Sequence, residues 1–489
     1  MSGPLRWLDD RLEFDAVRRA VLDRELPDRV TWWHTLGSAT LTAFLVQLIT
    51  GVVLATYYVP APDHAYSSIL YIQSQVTAGA LLRAMHHWGA SAVVILVTAH
   101  VVRVFAVGAY KYPREANWVL GVALFVVVLG FAFTGYLLPW DQKAYWATVV
   151  GTSIGRTVPL AGEALQTLLR GGTDVGAATL ARFFALHVLW FPALIGVLVV
   201  LHVVAAVRQG ITPRPATLEA GAPASTADPG YPDYYRSTVA VVKEPGVRVW
   251  PDLVARCAAA SFLVVLAITL LAAVFGAGLE SPADPTDTAY VPTPEWYFLP
   301  LYQLMKIVPG SLESLVAVGA PAVLVIALLA LPFFDRGSTR NLRRRPVALA
   351  ALTLLLAGSG LLIGAAVRES APASAPEAGG LLTPPQRAGR ALFSSQHCDM
   401  CHRIGADGGE VGPDLTTVGL RHSVAWMHSF IEEPSRFHRV TQMPAFAPPR
   451  LSHQEIEELA QYLATLRGGA GPDVQPQFRD TFPWNPVAP

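Results

Sequence analysis

Seven apolar stretches, near residues 34–58, 79–107, 116–138, 183–207, 257–278, 315–334 and 346–367, dictate the architecture. Each is long enough to cross a bilayer, which takes about 20 residues as a helix. Inside hydrocarbon every backbone group must be satisfied within its own segment, so each is expected to be helical. The 489 residues are 52% hydrophobic and only 15% charged, too apolar for an ordinary soluble enzyme of this length. An all-α, multi-pass membrane protein follows. The N-terminus is charged and amphipathic, with no short apolar core before a small-residue site, so no cleavable signal peptide is expected and the first span serves for insertion.

The net charge of zero gives no reason to look for a nucleic-acid partner, but it hides an asymmetry between loops. Arg6, Arg11, Arg18, Arg19, Arg24 and Arg29 precede the first span, and Lys111 and Arg114 follow the second. Arg208, Arg214, Arg236, Lys243 and Arg248 follow the fourth, and Arg336, Arg340, Arg343, Arg344 and Arg345 follow the sixth. These segments share one side, which the positive-inside rule makes cytoplasmic. The loop between spans five and six instead sets Lys306 against Glu280, Asp284, Asp287 and Glu295. Seven spans then put the N-terminus in the cytoplasm and the C-terminal region outside it.

Two spans carry paired histidines: His86 and His100 lie fourteen residues apart in the second, His187 and His202 fifteen apart in the fourth. At 3.6 residues per turn either interval is close to four turns, so each helix shows two imidazoles on roughly one face, ~20 Å apart along its axis. Two such helices side by side can clamp two haems, one above the other, because imidazole is a good axial ligand of haem iron and intramembrane ionisable residues face the bundle interior. A single histidine of this kind is more often a satisfied core residue; four at matched spacing argue for haem. Gly37 and Gly51 in the first span, and Gly121 and Gly135 in the third, repeat the fourteen-residue interval. Glycine lets a flat macrocycle approach a helix backbone. Small residues also serve plain helix contacts in membranes, and the shared interval favours haem.

A polar stretch, 209–250, rich in Pro, Ala and Gly, connects a four-helix unit (1–210) to a three-helix unit (211–368). Residues 369–383 have linker composition and tether a compact domain, 384–468, beyond which 469–489 form a proline-rich tail. Within the domain, Cys398-Asp399-Met400-Cys401-His402 is a Cys-x-x-Cys-His sequence, the attachment site of c-type haem. Two thiols at this spacing can form thioethers with the haem vinyls while His402 takes the iron. A helix-like run, Pro385 to Phe393, precedes the motif; Gly412-Pro413-Asp414-Leu415 follows it; Met443-Pro444-Ala445-Phe446 comes before an amphipathic helix from Ser452 to Leu466. That order resembles a small class I cytochrome c, in which Met443 is the sixth ligand. Met400 is a poor rival inside the attachment loop, and His438 is a weaker alternative. Cys257 stands alone at the start of span five as a small core residue, leaving no disulfide framework.

The membrane part as a whole resembles cytochrome b of the quinol:cytochrome c and b6f complexes. Its most specific motifs are Pro294-Glu295-Trp296-Tyr297, within Thr293 to Lys306, and Gly135-Tyr136-Leu137-Leu138-Pro139-Trp140-Asp141-Gln142 at the end of span three. The fifteen-residue histidine interval is that of cytochrome b6, and the three-helix unit is similar to its partner subunit, here fused, with a cytochrome c appended; the resemblance covers nearly all of residues 30 to 467. It implies that the two motif segments line a quinol-oxidation pocket, with Glu295 as proton acceptor and Tyr297 and Tyr136 as pocket residues. A solvated acid in an acidic loop is the plain alternative for Glu295; its neighbours Trp296, Tyr297 and Phe298 argue against that. The resemblance further pairs His86 with His187 near the extracytoplasmic face and His100 with His202 near the cytoplasmic face. Arg83 and Arg103, one turn or less from a ligand, either pair haem propionates or snorkel to the interfaces.

Two departures bear on cofactors and partners. Cytochrome b6 carries a cysteine just before Leu-Gly in span one that holds an extra haem; Thr35 stands there, so that covalent haem is expected to be absent. A Rieske centre needs two Cys and two His on its cluster, and only Cys257 remains, so the cluster is expected on a separate chain. The sequence therefore reads as the fused cytochrome b and c subunit of a bacterial quinol:cytochrome c oxidoreductase in the cytoplasmic membrane. Two b haems and one covalent c haem would serve it, with quinol and quinone as substrates. A Rieske protein and a cytochrome c or other acceptor would be its partners, in a homodimeric complex. The rival is a b-haem relay or anchor subunit of a dehydrogenase without bifurcation, which Pro294 to Tyr297 and the c domain disfavour; a transporter would leave Cys398 to His402 unexplained.

Overall fold

The computed structural model describes residues 31–212, 248–370 and 382–468, apart from 286–289, 291, 310–311, 313, 406, 410–411, 438–440 and 442, with scattered residues before 31. Most of the connector, most of the linker, His438 and the tail lie outside the described residues.

Helices long and apolar enough to cross a membrane run over Trp32–Ala55, Gly79–Ala106, Glu115–Tyr136, Ala177–Gln209, Val249–Phe275, Leu315–Phe334 and Pro346–Glu369, each at its expected place. The regular helices of the membrane part are α1 (Leu36–Ala55), α2 (Ala65–Gln75), α3 (Gly79–Ala106), α4 (Glu115–Tyr136), α5 (Gln142–Arg156), α6 (Gly162–Arg170), α7 (Ala177–Ala185), α8 (Phe191–Gln209), α9 (Val254–Phe275), α10 (Leu299–Ile307), α11 (Ala320–Phe334) and α12 (Pro346–Ser370). A π-helical turn, Leu186–Trp190, joins α7 to α8 within the fourth span. The four-helix unit closes around Ala43, Val93, Val94, Val97, Val128 and Ile195, and Ile268 of α9 joins the same core, with Trp296 and Tyr297 packed onto it.

At one end of the bundle the two units are knitted together by cations that the sequence shows only as loop charges. Lys111, 1% exposed, donates to Asp335 (2.7 Å) and to the carbonyls of Gly337 and Thr339. Arg340 donates to the carbonyls of Gly108 and Tyr112, and Arg345 to the Tyr110 hydroxyl, to Asp335 and to the carbonyls of Phe105 and Ala106. The Tyr110 hydroxyl donates to Asp335 in turn. At the other end α2, α5, α6 and α10 lie among the loops. There Asp141 caps α5 by accepting from the Ala144 amide at 2.8 Å.

The C-terminal domain packs α13 (Pro384–Ser395) against α16 (His453–Leu463), with α14 (Val418–Arg421) and α15 (Val424–Glu432) beside them. Gly389 makes the crossing of α13 and α16 possible, since a Cβ there would lie 2.0 Å from the Glu458 carbonyl oxygen. The expectation of an all-α domain misses a two-stranded antiparallel pair, β1 (Arg403–Ile404) and β2 (Asp407–Gly408), placed directly after the Cys-x-x-Cys-His turn.

Candidate functional site

Inside the four-helix unit the histidines face each other in two pairs. The rings of His86 and His187 have centroids 6.2 Å apart and those of His100 and His202 6.4 Å, each pair inclined at 77°. Imidazoles that share one ion through nitrogens at about 2 Å have centroids roughly 6 Å apart, so both spacings fit bis-imidazole ligation. The unequal intervals are reconciled by the π turn. Fourteen α-helical residues fall about 40° short of four turns and fifteen would overshoot by about 60°. The wider turn at Leu186–Trp190 absorbs the extra residue, so His187 and His202 return to one face.

Outer hydrogen bonds set the tautomers. His187 Nδ1 donates to the Phe131 carbonyl (3.0 Å) and His202 Nδ1 to that of Asn117 (3.2 Å). His86 Nδ1 lies 2.9 Å from Thr50 Oγ1, whose own proton goes to the Val46 carbonyl, so the ring is the donor here too. Three rings thereby turn an unprotonated Nε2 to the partner, as a metal-binding imidazole requires. His100 Nδ1 is buried and finds no partner among the described residues.

The glycines stand behind the ligand rings. A Cβ at Gly37 would meet His100 Cε1 at 3.5 Å, at Gly51 His86 Cε1 at 3.1 Å, at Gly121 His202 Cε1 at 3.4 Å and at Gly135 His187 Cε1 at 2.4 Å. The shared fourteen-residue interval thus has a steric cause, one glycine for each imidazole. Arg103 Nε is buried with no partner among the described residues, as suits a residue awaiting an anionic propionate. Arg83 is differently engaged: it donates at 2.7 Å to the carbonyls of Ala277 and Gly278 and so pins the start of the loop after span five. Thr35 spends its hydroxyl on the Trp32 carbonyl.

A cavity of about 240 Å³ is lined by Phe133, Tyr136, Ala147, Val150, Gly151, Ile154, Pro292, Pro294, Phe298, Leu301, Tyr302 and Met305. Both motif segments contribute to it. Of the three pocket residues expected, Tyr136 is on the wall, its hydroxyl 3.4 Å from the Thr293 carbonyl. Tyr297 meets Phe298 edge-on, centroids 4.8 Å apart and planes inclined at 63°, and packs toward the four-helix core. Glu295 turns from the wall to Lys143, Oε1 to Nζ 3.0 Å. Burial raises the carboxyls of nearby Asp141 and Glu280 above the usual range, against the pull of their hydrogen bonds.

In the C-terminal domain His402 Nδ1 donates to the Pro413 carbonyl (2.9 Å), and a Cβ at Gly412 would lie 2.5 Å from His402 Cε1. Burial lowers the pKa of that ring, favouring the neutral form that ligates. Cys398 and Cys401 are free thiols. Met443 packs against the domain core, whereas Met400 is 70% exposed. Sequence reasoning missed Thr50, Lys143 and the carbonyls of Phe131 and Asn117. Thr50 carries a signal, a polar residue next to a glycine in an apolar span; backbone carbonyls carry none.

The profile of the family described as cytochrome b/b6/petB matches residues 21–210, that of the C-terminal part of cytochrome b (b6/petD) matches 282–375, and that of cytochrome c matches 386–467. The menaquinol:cytochrome c reductase cytochrome b subunit of Geobacillus thermodenitrificans is 45% identical over 214 residues, 42% of this chain and 96% of the relative. The chain belongs to the cytochrome b family. Cytochrome b6 of Synechococcus elongatus is 42% identical over 212 residues, 43% of this chain and 99% of the relative. A solved chain of a hyperthermophilic respiratory Complex III superposes with a TM-score of 0.62 at 27% identity, covering 74% of this chain and 91% of that one. This cytochrome b is thus a multi-pass membrane protein that joins both cytochrome b parts and a cytochrome c domain in one polypeptide.

Proposed function

We propose that the chain is the cytochrome b and c subunit of a quinol:cytochrome c oxidoreductase of the bacterial cytoplasmic membrane, oxidising quinol in the cavity beside Tyr136 and Pro294. The observation that carries this reading is the make-up of that cavity: it is apolar and bounded by both family motifs, and its wall residue Tyr136 follows Gly135, which packs on His187, in the same chain as a Cys-x-x-Cys-His domain.

His86 with His187, and His100 with His202, would hold two b haems, and Cys398, Cys401, His402 and Met443 one covalent c haem; bound there, these groups supply one-electron carriers. The chain's own residues do the rest. Phe133, Phe298 and the α5 side chains keep water from the quinol ring. The Tyr136 hydroxyl orients a quinol oxygen, and Glu295 accepts a proton at Oε as the quinol loses electrons. One electron goes to a Rieske protein on a separate chain and on to the c domain and its acceptor, the other across the bundle to a quinone near the cytoplasmic face. The orientation, with the cavity on the extracytoplasmic side, follows the loop cations, and the assembly is taken as a homodimer. Glu295→Gln tests the reading: all haems are retained and quinol-dependent reduction of the c haem slows by about a hundredfold, whereas unchanged rates at every pH would remove Glu295 from the mechanism.

A further inference from the structure

Lys143 is the residue that neither the motifs nor the proton chemistry has used. It stands in the first turn of α5, one residue past the capped N-terminus, where the helix dipole disfavours a cation. Acidic neighbours offset this: Glu295 at 3.0 Å, with Asp141 and Glu280 close by, and Glu280 also accepting from the Lys143 amide. Along α5, Lys143 heads the stripe Ala147, Val150, Gly151, Ile154, which forms one wall of the cavity. Its ammonium lies 5.7 Å from the ring centroid of Tyr136, another wall residue, yet neither Lys143 nor Glu295 is on the wall itself. Pro294 and Phe298, on either side in sequence, are. The carboxylate is therefore berthed one side chain's width outside the cavity, partly open to solvent at 19% exposure, with the lysine at 34%.

We propose that Lys143 is a positioning residue for quinol oxidation, holding the Glu295 carboxylate in an outward berth from which its proton is discharged to extracytoplasmic water. The inference rests on the function proposed above. In the cavity, a quinol O–H bond breaks as an O–H bond forms at Glu295. Beside Lys143 that bond breaks again, the proton passes to water and the carboxylate returns to the ion pair. The two electrons leave by the routes proposed above, one to the Rieske partner and one across the bundle. The ionisable groups facing Glu295 are Lys143 of α5, His87 of α3, Tyr136 of α4 and Tyr297 of its own loop. Lys143 is the cation in direct contact.

The test uses the whole complex with Lys143→Met, Lys143→Arg, Glu295→Gln and the double variant Lys143→Met/Glu295→Gln. Haem spectra are recorded first, then quinol-dependent reduction of the c haem as a function of quinol concentration. Lys143→Met should lower the maximal rate about tenfold with little change in the quinol KM. Lys143→Arg should restore the rate, and Lys143→Met should add nothing in the Glu295→Gln background. Wild-type rates in Lys143→Met, or an equal loss with and without the Glu295 carboxylate, would overturn the proposal. Absence of quinol-dependent c-haem reduction in the unsubstituted complex would instead overturn the function on which it rests.

Discussion

Gly135→Ala should weaken the hold on one b haem and spare the other. The new Cβ would stand 2.4 Å from His187 Cε1, 2.9 Å from Nδ1 and 3.0 Å from Nε2. Carbon atoms settle at about 3.5–4.0 Å, so the ring must retreat by roughly 1 Å. It has nowhere to go: Nδ1 is held by the Phe131 carbonyl at 3.0 Å and the Phe131 ring lies 4.3 Å away on centroids. Metal ligands tolerate displacements of only about 0.2 Å, and overpacking of this kind costs about 2 kcal/mol, roughly thirtyfold in affinity for the haem. The control is Gly37→Ala, whose Cβ would meet His100 Cε1 at 3.5 Å, an ordinary contact. Redox-resolved difference spectra with haem counted per chain make the comparison. Retention of both b haems at unchanged potentials in Gly135→Ala, or equal loss in Gly37→Ala, would refute the steric reasoning.

His100→Ala and His202→Ala should each remove the same b haem and leave the other; loss of a common haem in His86→Ala and His202→Ala would break the pairing. Met443→Leu should lower the c-haem potential and erase the weak near-infrared sulfur-to-iron band, and a band that survives would move the ligand elsewhere. Asp335→Asn should loosen the join between the two units. Burial alone would raise that carboxyl, but the bonds from Lys111 and Tyr110, helped by Arg345, hold it below the usual range. The resulting stabilisation is present above the ordinary carboxylate pKa and is lost as pH falls through the lowered one. Thermal unfolding at neutral pH should show a loss on the order of 2 kcal/mol, allowing for the partial exposure of Asp335, and no difference from wild type in strong acid; an unchanged midpoint at neutral pH would count against the cluster.

The sequence made the spans legible because bilayer thickness fixes their length and hydrocarbon forbids alternatives, and it made the histidine faces legible because helical periodicity is regular. The reason for fifteen residues between His187 and His202 was hidden, since a π turn leaves no compositional mark. The glycine interval was read as room for a macrocycle; the structure puts an imidazole against each glycine, which only packing reveals. Lys111, Arg340 and Arg345 read as solvated loop cations but are buried, because their partners, Asp335 and the carbonyls of 105–112, come from the other unit. Lys143 was invisible for the same reason: its partner is 152 residues away. The two-stranded pair at 403–408 is too short for any periodic signal.

Rapid mixing of quinol with the intact, Rieske-containing complex, following b and c haem absorbance together, shows whether the two electrons of quinol part company. The first turnover should deliver one electron to the c haem for each electron reaching the b haems, and removing the Rieske protein should abolish c-haem reduction. Reduction of the b haems while the c haem stays oxidised in the intact complex would contradict it and favour a simple membrane relay.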